Sequence, residues 1–128
     1  MTPPRQRGQA TVELVLCLPV IVLALLLVIQ IGLVARAHVL VVDAARQGAR
    51  AAAVSGPDAA APAARSTPGL DPSRMDVQVS TEPAPGVDGE VVRVHVRYRA
   101  ATDVPLAGAL LGDPTLTAEV AMLREDPG

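Results

Sequence analysis

From Leu14 to Ala35 the only strongly polar residue is Gln30, and three shorter patterned segments follow, set apart by proline and glycine. About 22 residues rising about 1.5 Å each are enough to cross a hydrocarbon core of about 30 Å, so this run predicts a membrane-inserted helix. Beyond it Arg36, Asp43, Arg46, Gln47 and Arg50 recur at helical spacing, with Val39, Val42, Ala45, Ala49 and Ala52 expected on the opposite, apolar face. The helix is expected to stop near Val54, where Ser55-Gly56-Pro57 supplies a C-terminal glycine and then a proline that cannot continue it.

The period then changes. Residues 55–74 are rich in Ala, Pro, Gly, Ser and Asp and read as a linker or extended loop. Asp76 to Thr81 alternates with Val77 and Val79 on one face. Glu90 to Arg99 alternates more cleanly, with Val92, Val94, Val96 and Tyr98 opposite Arg93, His95, Arg97 and Arg99. Pro83, Pro85, Gly86, Asp88 and Gly89 form a turn between them, which predicts an antiparallel pair. A short helical turn over Leu106 to Leu111 and a last strand through Leu116, Ala118, Val120 and Met122 complete the reading. The fold class is α+β: a long N-terminal membrane-spanning helix, then a small antiparallel sheet domain over 75–128. Three strands alone are marginal, so packing on the helix or on neighbouring subunits is expected to complete the core.

Composition narrows the function. With about 50 of 128 residues in the N-terminal segment, the remainder can form at most one small domain, with no room for a large active-site cleft. The formal charge is −2 and Tyr98 is the only aromatic residue, so nucleic-acid binding is disfavoured for want of a basic surface and stacking rings. Cys17 is the single cysteine; no intramolecular disulfide can form, and inside the apolar run it is expected to pack as a small hydrophobe. No nucleophile with a base, metal-spaced set or phosphate loop is apparent, and neither enzyme activity nor a cofactor is expected.

The polar residues at the head of the apolar run are the informative ones. Residues 1–8 carry Pro3, Pro4, Arg5, Arg7 and Gly8, a composition expected to resist helix and to hold positive charge on the cytoplasmic side. Glu13 is the fifth residue after Gly8, at the mouth of the apolar run, where a carboxylate opposes insertion. One reading places it at the headgroups, in a first turn whose dipole favours an anion. The basic leader ending in Gly8, the Gly8 to Glu13 spacing and the unbroken apolar run together resemble the class III signal of type IV prepilins. With Ala44-Ala45-Arg46-Gln47-Gly48-Ala49-Arg50 further along, residues 5–54 resemble the TadE-like pseudopilins of the tight-adherence (Flp, type IVb) pilus system.

The resemblance implies a prepilin peptidase cutting between Gly8 and Gln9, with Arg5 and Arg7 as the basic residues of the leader. Losing both with residues 1–8 would take the formal charge from −2 to −4. The mature helix would then run over 9–54, Glu13 would act as the assembly acid, pairing with the amino terminus of an adjacent subunit, and the partners would be the membrane, other pilin-like subunits and Tad assembly proteins. It also implies a cytoplasmic-membrane protein with residues 75–128 outside, an orientation that the near-equal basic counts on the two sides of the span do not decide. Three alternatives stand beside it: a secretory signal cut near Ala35 and Ala37, a lipidation box at Cys17, which lacks the small residue such boxes place before the cysteine, and a permanently anchored accessory or sensor domain.

Overall fold

The structure is a computed structural model that describes residues 4–102 and 106–125, for residues 4–6 and 107 the backbone alone. Its chief element is a single helix, α1 (Pro4–Ser55), which continues through Pro19. The leader was expected to resist helix, yet the helix begins at Pro4. A proline fits the first helical turn because the N–H it lacks has no intrahelical partner there and its φ is already near the helical value. At the other end Gly56 adopts φ 101 and donates its N–H to the Ala52 carbonyl at 3.0 Å, closing the helix where the sequence predicts.

The stretch read as a linker is folded against α1. A 3₁₀ turn over Pro57–Ala59 leads into α2 (Ala60–Arg65), and Ala60, Ala64, Thr67 and Leu70 are buried. Its prolines stand where helices tolerate them, Pro57 opening the 3₁₀ turn and Pro62 near the start of α2, while alanines spaced by four make a smooth face for a second helix. Composition alone suggested a loop; packing of Ala60 and Ala64 against α1 overrides it. Asp71 then caps a 3₁₀ turn at Pro72–Arg74, accepting from Ser73 N at 2.9 Å and Ser73 Oγ at 2.7 Å. Those two bonds, the side-chain one foremost, with the Arg74 charge, hold the Asp71 carboxyl below its ordinary range.

The three strands β1 (Met75–Pro83), β2 (Gly89–Arg99) and β3 (Thr115–Glu125) form an antiparallel sheet in that order, with Val79 opposite Val94 and Val94 opposite Val120. Val92, Val94, Val96 and Tyr98 are buried, while Arg97 and Arg99 are exposed on the other face, as the alternation predicts. The Tyr98 hydroxyl accepts from Asp71 N at 3.2 Å, so its polar tip is satisfied at the edge of the core. On the wet face Arg93 meets Glu119 at 2.7 Å and Glu82 at 3.9 Å, an exposed network of small energetic weight; Glu119's hydrogen bond, more than any other neighbour, strengthens Arg93's hold on its proton. A short helix, α3 (Ala107–Leu111), lies in the β2–β3 connection.

The sheet packs on the C-terminal half of α1, whose buried face is Val41, Ala44, Ala45, Gly48, Ala49 and Ala52. The expected face was out of phase at its start: Val39 is 67% exposed, because it sits about 200° around the helix from Val41. The N-terminal half differs sharply. Through Ile29 none of its described side chains is buried by the chain, and Val12, Leu16, Val20, Leu25 and Val28 are all more than half exposed. Cys17 is among the exposed residues, so whatever it packs on lies outside this chain.

Candidate functional site

Two stretches of α1 carry the candidate chemistry. At the N-terminal end Arg7, Gly8, Gln9 and Glu13 are all helical and exposed. Gln9 and Glu13 are four residues apart, on one side of the helix and about 6 Å apart along it, whereas Gly8 is about 140° around from Glu13. Helical side chains lean toward the N-terminus, so the Glu13 carboxylate reaches toward the Gln9 backbone and not toward Gly8. Within 4 Å it meets no cation among the described residues. A Cβ at Gly8 would meet nothing within 4 Å, so packing inside this chain does not account for the glycine. Thr11 Oγ1 donates to the Arg7 carbonyl at 3.0 Å, a local bond within the helix. Arg5 shares this helix, its side chain lying outside the described set.

The second stretch is Ala44 to Arg50. Arg46 and Arg50 are exposed, and Gln47 Nε2 donates to Asp43 Oδ2 at 2.8 Å across one turn. Its small residues face inward, and the backbone at Gly48 is where α1, α2 and the sheet come closest. A Cβ there would meet the Ala60 carbonyl oxygen at 3.1 Å, Val94 Cγ1 at 3.2 Å and Ala64 Cβ at 3.4 Å. The sequence reading assigned no role to Gly48. The available signal was a glycine, poor in helix interiors, kept within a run of alanines that all favour helix.

Gly48→Val should therefore overpack the junction, at a cost of about 1–3 kcal/mol, while Gly48→Ala should be near neutral because a gain of about 1 kcal/mol in helix propensity offsets a shift of a few tenths of an ångström. Urea unfolding of the full chain in detergent, followed by circular dichroism, should rank wild type and Gly48→Ala together, with Gly48→Val at a clearly lower midpoint.

Gln30 is buried against the chain itself, 1% exposed, with its Oε1 unpartnered among the described residues. It borders a crevice lined also by Leu70, Tyr98, Ala100 and Ala101, so the head itself occupies the surface around it. Gly32 is exposed, and a Cβ there would meet nothing within 4 Å.

These features define a class: a small α+β head built on the upper half of one long helix, whose lower half is apolar, exposed and long enough to cross a membrane. The family model described as TadE-like protein matches residues 8–50, from Gly8 through the small-residue stretch, and supports a TadE-like protein. That likeness suggests a component associated with the Tad pilus. No curated protein and no solved structure matches the chain.

Proposed function

We propose that this chain is a pseudopilin of the type IVb (Flp/Tad) pilus or a related secretion apparatus, a structural or assembly subunit cut by a prepilin peptidase between Gly8 and Gln9. The reading rests on one observation above all. The lower half of α1 presents large apolar side chains in every direction, while the upper half is the wall of the head's core. Each buried leucine or valine is worth about 1.5–3 kcal/mol, so such a surface is stable only in lipid or among other apolar helices, and a pilin helix occupies the two in turn. In this reading the head lies outside the cytoplasmic membrane, and the chain is a structural part with no catalysis of its own. Gly8 suits the cut: scission requires the first turns to unwind, and glycine, after proline, is the residue that least favours helix.

Intact-mass analysis of the membrane-extracted protein is the test. Loss of residues 1–8 is expected, and Gly8→Val should abolish that loss. Retention of residues 1–8 in the wild type would replace the pseudopilin by a permanently anchored accessory domain, and a start between Arg36 and His38 would reveal a secretory signal.

A further inference from the structure

The depth of the head relative to the apolar helix follows from α1 itself. If the hydrocarbon begins at Leu14, just past Glu13, about 30 Å of it ends about 20 residues later, at Leu33. The head extends down to that level. The described end of the β2–β3 connection meets α1 there, and Leu111 and Pro114 with Gln30, Ile31, Val34 and Ala35 line a cleft of about 370 Å³. Leu111 at the cleft is 56% exposed, and in the same connection Leu106 is 64% and Leu110 65% exposed.

Charge follows the same axis. β2 runs from Gly89, far from the span, down to Arg99 beside this rim, since Val94 faces Gly48 while Tyr98 and Ala100 border the crevice with Ala37 and Leu40. Arg93, higher on the wet face, is held by Glu82 and Glu119. Arg97 and Arg99, lower on that face, have no carboxylate within 4 Å among the described residues, and neither does Arg36 on α1. Arg74 shares their hollow with Asp76 and Asp113 and lies 3.8 Å from Asp113. Cations one layer above exposed leucines match a phospholipid surface, with phosphates above and acyl chains below.

We infer that the lower rim of the head is a membrane-docking surface: Leu106, Leu110 and Leu111 insert at the headgroup–acyl boundary of the leaflet through which α1 emerges, and Arg97 and Arg99 engage its phosphates. The occupant is the bilayer that holds α1, because the rim adjoins the apolar face of the helix at the depth where the hydrocarbon ends. Docking in this way fixes the tilt of the head and keeps it against the membrane. The inference rests on α1 spanning the bilayer, and the test separates the two.

The chain has no tryptophan, so a single introduced indole reports its own depth. Leu110→Trp, Val22→Trp within the span and Val87→Trp in the far β1–β2 turn, about 30 Å beyond the rim at about 3.3 Å per strand residue, each alter an exposed side chain. The full chain is reconstituted in vesicles of mixed phosphatidylcholine and phosphatidylglycerol carrying lipids spin-labelled near the headgroup or deep in the acyl chain. Val22→Trp should be quenched by the deep label and Leu110→Trp by the shallow label, several-fold more than Val87→Trp. In the background of Arg97→Glu with Arg99→Glu, the Leu110→Trp quenching should fall by at least half. Leu110→Trp no better quenched than Val87→Trp, with Val22→Trp still quenched, overturns the docking surface alone. An unquenched Val22→Trp overturns the spanning helix and the docking with it.

Discussion

Val94→Asp should unfold the head, while Arg97→Ala, three residues further along the same strand, should scarcely change it. Val94 is fully buried at the centre of the sheet, between Val79 and Val120 and against α1 at Gly48. An aspartate there would put a carboxylate among valine and alanine side chains with no cation at hand. An unpaired buried charge costs several kcal/mol, a large share of a small domain's total stability. Arg97 is exposed and makes no ion pair among the described residues, so its truncation should stay within about 0.5 kcal/mol. Urea unfolding of the full chain in detergent checks both, and equal midpoints would contradict the burial of this face. A fragment beginning at residue 55 would be the wrong sample. It lacks Val41, Ala44, Ala45, Gly48, Ala49 and Ala52, one wall of the core, so the shortest soluble piece worth testing begins near Arg36.

The strand phase on which that prediction depends was legible because period-two alternation in β2 is nearly free of exceptions, and a single slip would turn every valine to water. The helix end was legible for a similar reason, since Gly56-Pro57 terminates a helix by local stereochemistry. The 55–74 stretch was not. Its alanines have no hydrophobic period to read, and they fold because the facing surface, Ala44 to Ala52, is equally small, a complementarity visible only once the two are side by side. Val39 was misplaced because several alanine phases fit an Ala-rich helix equally well, and only contact with the sheet selects one. The candidate site divides the same way. Gly8, Gln9 and Glu13 are local in sequence, so the resemblance that singles them out needs no knowledge of the fold, whereas the packing role of Gly48 depends on Ala60, Ala64 and Val94, which are distant in the chain.

Glu13→Ala should leave membrane insertion and leader cleavage intact and abolish assembly. In the single chain Glu13 is exposed, meets no cation among the described residues and stands one turn from Gln9, so no described contact gives it anything to stabilise. Its carboxylate opposes insertion, and removing it should ease insertion slightly if it has any effect at all. What it would lose, in the pseudopilin reading, is attraction to the amino group released at Gln9 of a neighbouring subunit. In low dielectric that attraction is strong, but desolvation cancels much of it, so the pair selects register more than it adds affinity. The phenotype expected is a processed subunit that accumulates in the membrane and is absent from the pilus or its assembly complex. Co-purification with the pilus fraction, comparing wild type with Glu13→Ala and Glu13→Gln, checks it. Glutamine keeps the shape and hydrogen-bonding capacity without the charge, so partial recovery would assign the contact to hydrogen bonding and complete loss in both to charge. Wild-type assembly in both variants would return Glu13 to the headgroup layer, as an anion at the start of a helix, and leave the anchored accessory domain as the better account of this chain.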